Sequence, residues 1–193
     1  MGPMCSPEGE LGADERCILL QVARQSVRYG VDCGLPLVVR AADYPPPLQR
    51  CQATFVTLRV AEELRGCIGT CLPVRPLVED VAHNAYAAGF LDPRFAPLSG
   101  LELPGLHIHI SLLSVPEPMS FTSEEELLAQ VRAGVDGLLL EEGVRRGTLL
   151  PAVWDSLPDP RQFLRHLKLK AGLPPDYWSG TLRVLRYTAE SVE

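Results

Sequence analysis

The sequence has no long run of apolar residues, although 46% of its 193 residues are hydrophobic. A helix that crosses a bilayer needs about 20 consecutive apolar residues, so no membrane-spanning helix is predicted. The opening MGPMCSPEGELGADE also lacks the basic and apolar regions of a secretory signal peptide. We therefore expect a cytoplasmic protein, with residues 1–13 as a disordered lead and residues 14–190 as a single domain.

Positive charge is scarce, and lysine is nearly absent. The 18 Lys and Arg residues are outnumbered by 24 Asp and Glu, which gives a net charge of −6. This balance argues against tight binding to nucleic acid or to an anionic membrane. Only Lys168 and Lys170 are lysines. The excess of arginine reflects either codon bias or planar, bidentate recognition of small oxyanions.

Cysteine is missing after residue 71 of the 193. Without a secretory signal the thiols should be reduced, so no disulfide framework is expected. The spacing of Cys67 and Cys71 is not that of a zinc knuckle, and no second pair completes four ligands. We expect neither a structural metal nor a cofactor. The cysteines are Cys5, Cys17, Cys33, Cys51, Cys67 and Cys71.

The pattern of hairpins mixed with helices, without steady β-α-β alternation, predicts an α+β fold with a mainly antiparallel sheet. Residues 41–51, rich in proline, are predicted to be an extended connector. A helix capped by Asp14 is predicted to run to about residue 29 and to end at Gly30 or Gly34. Further helices are predicted from Pro76, from a capping box of Ser123 and Glu126, and from Asp159. Strands are predicted in ATFVTLRV, in Leu64–Ile68, in LHIHISLL, on both sides of Gly143 and in TLRVLRY.

The stretch LRGCIG, residues 64–69, is the first candidate for chemistry. Cys67 is flanked by glycines that allow close backbone approach. Arg65 lies nearby, and a neighbouring guanidinium favours the nucleophilic thiolate. The alternative is that Cys67 is a small hydrophobic residue in a tight turn, because free cysteine is among the most buried residue types.

Two other patterns contain candidate residues. The alternation in LHIHISLL places His107 and His109 on one face of a strand, which could offer two metal ligands or simply form a polar surface. In DPRF, Asp92 and Arg94 form either a local turn with an ion pair or an anion-binding arginine at the edge of a cleft. Arg146, in RRGT, raises the same choice.

Six stretches together resemble one known family. They are ATFVTL, LRGCIGT, DPRFAPL, ISLLSVPEPM, GVDGLLLEEGVRRGTLLP and the segment from VW to YW near the end. In this order and spacing they resemble the AMMECR-one domain family, whose bacterial members are called AmmeMemoRadiSam system protein A. The resemblance implies an α+β fold of two unequal lobes, with LRGCIG near the cleft between them. It also implies association with Memo-like and radical-SAM proteins, but it names no reaction.

Two hypotheses for function follow, while nucleic-acid binding is disfavoured by the acidic charge. In the first, the protein is an enzyme or enzyme subunit with Cys67 as nucleophile or thiol carrier. A base is left open between Asp92, His107 and His109. In the second, the protein is a non-catalytic module that docks on Memo-like or radical-SAM partners. The enzyme hypothesis places a small anionic substrate in the interlobe cleft, bound by Arg65, Gly66, Gly69, Asp92, Arg94 and Arg146.

Overall fold

The computed structural model describes residues 11–193, which fold into two compact units. One unit extends to Leu112 and includes Glu190–Glu193, and the other is Leu113–Ala189. Each unit combines helices with an antiparallel sheet, which confirms the predicted α+β class. Most of the predicted disordered lead, residues 1–10, lies outside the described residues. None of the helices among the described residues could span a lipid bilayer.

The first unit is built on a four-stranded sheet in the order β2-β1-β3-β8, so β2 is an edge strand. Strand β1 pairs antiparallel with both β2 and β3. Helix α3 packs on β1 and β2, and α1 packs on α3. The helices are α1 (Ala13–Cys33), α2 (Pro46–Gln49) and α3 (Leu77–Phe90), and the strands are β1 (Thr54–Val60), β2 (Glu63–Gly69), β3 (Leu106–Leu113) and β8 (Ala189–Val192).

Successive side chains of β1 and β3 alternate between the two faces of this sheet. On one face Val56, Leu58, Ile108 and Ile110 join the apolar core with α1 and α3. Residues opposite one another on paired strands share a face, so the strand pairing defines the other side. This second side, called here the polar face, consists of Phe55, Thr57, Arg59, Cys67, His107, His109 and Ser111.

The second unit contains a four-stranded antiparallel sheet in the order β4-β7-β5-β6. Its core joins α5 to β5 through Phe163, Leu167, Leu138 and Leu140. Trp154 stacks on Phe163 with their ring centroids 3.8 Å apart. The helices are α4 (Glu124–Gln130) and α5 (Pro160–Lys170), and the strands are β4 (Glu117–Pro118), β5 (Gly137–Glu142), β6 (Arg145–Leu149) and β7 (Arg183–Tyr187).

The structure corrects the predicted start of the first helix and shows at which glycine it ends. Helix α1 begins at Ala13 with Gly12 at its N-cap, so Asp14 lies inside the first turn and does not cap the helix. Of the two glycines predicted to end it, Gly34 does so with a φ of 69°, and the helix therefore continues past residue 29.

The predicted extended connector was wrong in part. It contains a 3-10 turn, Ala41–Asp43, and the one-turn helix α2. Pro46 and Pro47 occupy the first turn of α2, where a missing N–H breaks no helical hydrogen bond. Strands β4 and β8, two and four residues long, were not predicted. Strands this short leave little alternation to detect in a sequence.

The turn between β1 and β2 holds two residues in the left-handed region. Ala61 and Glu62 have φ values of 49° and 64°, where glycine or asparagine is favoured. We expect E62G to stabilise the protein by about 1 kcal/mol, because the Cβ penalty disappears. The matched control E63G, inside β2, should destabilise by about 0.5–1 kcal/mol. Urea denaturation measures both, and a midpoint for E62G at or below that of wild type would contradict this explanation.

Candidate functional site

The LRGCIG motif lies along the free edge of the first sheet and contains a β-bulge. Leu58 is opposite Gly66, whereas the next residue, Arg59, is opposite Leu64. Arg65 is therefore an extra residue without a partner on β1. Such bulges bend a strand and change the direction of a side chain.

The guanidinium of Arg65 is bound within the protein. Its Nε donates to Glu102 Oε1 at 2.5 Å, and its Nη2 donates to the carbonyl oxygen of Ala96 at 2.9 Å. The hydrogen bond from Arg65, more than any other contact, lowers the pKa of Glu102 to about 2. Arg65 was predicted to bind substrate, but its charge is already balanced by a carboxylate of the same chain.

We expect the variant E102Q to be less stable than wild type at neutral pH and to approach wild type in acid. Because the pKa of Glu102 is lower in the folded protein than its ordinary 4.5, its ionised form stabilises the fold above pH 4.5. That contribution is lost as the pH falls from 4.5 toward 2. Urea denaturation at several pH values should show a difference of about 1–3 kcal/mol at pH 7 that shrinks with acid. The exposed control E63Q should follow wild type throughout, and a pH-independent difference for E102Q would contradict the assignment.

Asp92 binds the backbone of Cys67 at the free edge of β2. Its Oδ2 accepts a hydrogen bond from the Cys67 amide at 2.9 Å, and Arg94 bonds both oxygens, at 2.9 and 2.7 Å. The Asp92 side chain is only 2% exposed. The hydrogen bond from Arg94, followed by that from the Cys67 amide, holds the pKa of Asp92 well below its usual range. A carboxylate held ionised in this way is a poor general base.

Arg94 is fixed on one side and open on the other. Its hydrogen bonds use Nε and Nη2, which leaves Nη1 without a protein partner among residues 11–193. The side chain is 54% exposed. The pKa of Arg94 is raised, mainly by Asp92, and a Cys67 thiolate acts in the same direction. Arg94 therefore has a free donor close to Cys67.

The sulfur of Cys67 lies on the polar face and is half-buried. Thr57 Oγ1 donates a hydrogen bond to Cys67 Sγ at 3.3 Å. Thr57 lies opposite Cys67 on β2 and opposite His109 on β3. Cys67, Thr57 and His109 therefore form one row across three strands, called here the Cys67–His109 row.

Packing accounts for both glycines of the motif. A Cβ on Gly66 would overlap the backbone carbonyl of Ala88 in α3, and a Cβ on Gly69 would overlap the ring of Phe55. The Cys67 amide points away from β1 toward Asp92. Because amide directions alternate along a strand, the amide of Gly66 points into the sheet and that of Gly69 points away from it.

His107 and His109 share the polar face but differ in their contacts. His109 Nδ1 lies 2.9 Å from Glu193 Oε1, and its Nε2 lies 3.3 Å from Ser111 Oγ. His107 is exposed and lies opposite Arg59 on β1. In the described part of the chain, no three His, Cys, Asp or Glu side chains are grouped to hold a metal ion.

Arg146, also predicted to bind substrate, lies on β6 of the second unit. Its Nη2 pairs with Glu141 Oε1 at 2.5 Å, and the two residues are opposite one another on neighbouring strands. Arg183 Nη1 lies 3.8 Å from the other oxygen of Glu141. The structure therefore gathers Arg65, Cys67 and the Asp92–Arg94 pair in the first unit, whereas the ion pair of Arg146 belongs to the second.

A buried cluster around Asp80 was missed from the sequence. Asp80, fully buried on α3, accepts hydrogen bonds from Thr54 N at 3.0 Å, Thr54 Oγ1 at 2.8 Å and Asn84 Nδ2 at 2.9 Å. Arg75 Nη1 and Thr70 Oγ1 donate to it at 3.1 and 3.2 Å. The cluster joins α3 to β1 and to Thr70, the residue that follows β2. The sequence signal was an acid and an amide four residues apart on the apolar side of a predicted helix.

Comparison with known proteins identifies the family. The AMMECR1 family profile matches residues 20–192. A protein of Thermofilum pendens is 40% identical, over 94% of this chain and 91% of its own length. Protein MJ0810 of Methanocaldococcus jannaschii is 37% identical, over 78% of this chain and 77% of its own. The crystal structure of the uncharacterized protein PH0010 from Pyrococcus horikoshii superposes with a TM-score of 0.83 at 35% identity, covering 90% of this chain and 88% of that one. The chain therefore belongs to the AMMECR1 family, as the resemblance of its six motifs predicted.

Proposed function

We propose that this AMMECR1-family protein is a cytoplasmic enzyme, or an enzyme subunit, that binds a small anionic substrate at the LRGCIG motif. The thiol of Cys67 is its nucleophile or carrier. The observation that carries the proposal is the polar setting of this sulfur, which accepts a hydrogen bond from Thr57 Oγ1 at 3.3 Å.

The surroundings of Cys67 suit a working thiol better than a core side chain. Thr57 Oγ1 donates a hydrogen bond to its sulfur, and Arg94 Nη2 lies 3.5 Å from its carbonyl oxygen. A cysteine that only filled the apolar core would lie on the opposite face, with Leu58 and Ile110.

The negative charge of the substrate is inferred from the hydrogen bonds that Arg94 and Arg65 already make within the protein. Asp92 fixes Arg94 through two hydrogen bonds, which reduces the entropy lost when the remaining donor binds a carboxylate or phosphate. Arg59 and His107 add positive or titratable groups to the same face. Arg65, in contrast, has the structural task of joining β2 to Glu102.

The test compares alkylation of Cys67 by neutral iodoacetamide and by anionic iodoacetate, followed by peptide mass spectrometry. Cys17 and Cys33 are exposed and serve as internal references. Cys67 should react faster than both, and its ratio of iodoacetate to iodoacetamide rates should exceed theirs by about tenfold, as expected for a bound anion. T57V should slow both reagents, and R94Q should remove the preference for iodoacetate, whereas R40Q should change neither. A Cys67 that reacts no faster than Cys17 would overturn the proposal.

A second candidate function is a non-catalytic module that docks on Memo-like or radical-SAM proteins. It is favoured by the packing roles of Gly66 and Gly69 and by the internal ion pair of Arg65, which together build a rigid strand edge. In that case C67S should retain partner binding in a pull-down. Loss of partner binding by C67S, with the fold intact by circular dichroism, would speak against a purely structural motif.

A further inference from the structure

We propose that His109 is the general acid of the reaction at Cys67, and that Glu193 is its positioning residue. This inference rests on the proposed function and narrows its substrate to a small anionic ester or thioester, whose leaving group needs a proton. Asp92 is unsuited to that task because two arginine hydrogen bonds and the Cys67 amide keep it ionised.

The first support is the Cys67–His109 row. Opposed residues in an antiparallel sheet have Cα atoms about 4.5–5.5 Å apart, so the two ends of the row are about 10 Å apart at Cα. Both side chains stand on the same face, with the hydroxyl of Thr57 between them. A small substrate lying over Thr57 would contact the thiol with one end and the imidazole with the other.

The second support is the fixed orientation of the imidazole. Glu193 accepts a hydrogen bond from Nδ1 at 2.9 Å, which assigns the hydrogen of the neutral ring to Nδ1. Nε2 is then free to accept from Ser111 Oγ at 3.3 Å. Contacts at both nitrogens hold the ring in place, as second groups orient catalytic histidines elsewhere. The side chain of His109 is 32% exposed, so a substrate can reach it.

The charged and titratable groups that face the row come from three strands, one loop and the residue after β8. Arg59 and His107 form the adjacent row on β1 and β3, and Glu193 follows β8. Cys67 lies on β2, with Asp92 and Arg94 beside it in the loop after α3. Glu193 is the carboxylate among them in contact with His109, so it balances the imidazolium when the ring takes up a proton.

The reaction begins with two proton transfers. The Cys67 thiol loses its proton to water, and His109 Nε2 takes up a proton from water, which gives a thiolate and an imidazolium. The thiolate attacks the acyl carbon, a carbon–sulfur bond forms, and the bond from carbon to the leaving oxygen or sulfur breaks. The leaving group takes the proton from Nε2. The net change is thiol plus ester to thioester plus alcohol, or thiol plus thioester to a new thioester plus the released thiol, with no external oxidant or metal.

The experiment compares three reagents on the full chain: iodoacetamide, 4-nitrophenyl acetate and phenyl acetate. Iodide and nitrophenolate leave without a proton, whereas phenolate leaves poorly unless it is protonated. H109Q should slow acetylation of Cys67 by phenyl acetate by more than about tenfold, and should change the other two rates by less than about threefold. E193Q should give a smaller loss with phenyl acetate and shift its pH profile. H107Q, which alters the neighbouring exposed histidine, should match wild type.

Failure of this inference and failure of the proposed function give different results. If wild-type Cys67 reacts with iodoacetamide no faster than Cys17, the proposed function fails and the role of His109 fails with it. If Cys67 reacts fast but H109Q equals wild type with phenyl acetate, only the general-acid role is overturned. An equal loss for H109Q with all three reagents would also overturn it, because a structural change would then explain the result.

Discussion

Replacing Gly66 with alanine is expected to destabilise the protein by about 3 kcal/mol or more, at the upper end of overpacking substitutions. The added Cβ would overlap the backbone carbonyl of Ala88, which belongs to a regular helix and cannot move by a simple side-chain rotation. The strand and α3 must separate to relieve the clash. For a chain of this size we expect a fall in melting temperature of about 6–12 °C.

The matched control for this variant is G105A in the same unit, because a Cβ at Gly105 meets no atom within 4 Å. Its melting temperature should stay close to that of wild type. Thermal and urea denaturation followed by circular dichroism measure both variants. If G66A were as stable as G105A while losing thiol reactivity, Gly66 would instead be needed for ligand access, and the packing explanation would be wrong.

Replacing Asp80 with alanine is expected to cost about 3–5 kcal/mol, the range for removing one partner from a buried charged network. Thr54 N and Asn84 Nδ2 would lose a buried acceptor, and Arg75 would lose its carboxylate. D80N should be intermediate, because the amide oxygen can still accept some of these hydrogen bonds.

The control for Asp80 is D43A, which removes an exposed carboxylate that lies 3.5 Å from Arg40. Exposed pairs contribute about 0–1 kcal/mol, so D43A should be nearly neutral. Since the Asp80 cluster holds β1 and the residue that follows β2, D80A should also raise the iodoacetamide reactivity of Cys67 at sub-denaturing urea. Equal stability of D80A and D43A would show that the buried cluster contributes little.

The helices and long strands could be predicted from the sequence because each has a local signal. Asp159 caps α5 as expected, with its carboxylate accepting from Arg161 N at 2.8 Å. Only the first of the two hydrogen bonds of the capping box at Ser123 is formed as predicted. Ser123 Oγ accepts from Glu126 N, but the Glu126 carboxylate accepts from the amide of Thr122. The conformation of the loop before the helix decides which amide the Glu126 carboxylate binds. No local sequence pattern specifies that conformation.

The chemistry of the site was less predictable because it depends on pairings between distant segments. The motif itself pointed to Cys67, and DPRF suggested an ion pair between Asp92 and Arg94, but nothing in the sequence placed that pair on the Cys67 backbone. The bulge at Arg65 depends on one unmatched position in the hairpin register. His109 was noticed as half of a metal pair and as one of three candidate bases, but its contact with Glu193 spans 84 residues and has no local signal.

The hydrogen bond from the Cys67 amide to Asp92 also affects whether β2 can pair with a strand of a second copy of the protein. An edge strand offers unpaired amides and carbonyls, which is a template for strand addition and aggregation. At Cys67 the outward amide is occupied by Asp92, and the outward carbonyl lies 3.5 Å from Arg94 Nη2. The bulge at Arg65 breaks the regular repeat two residues earlier. An incoming strand would find no continuous ladder to extend, so the same loop that shapes the candidate site closes the sheet to polymerisation along this edge.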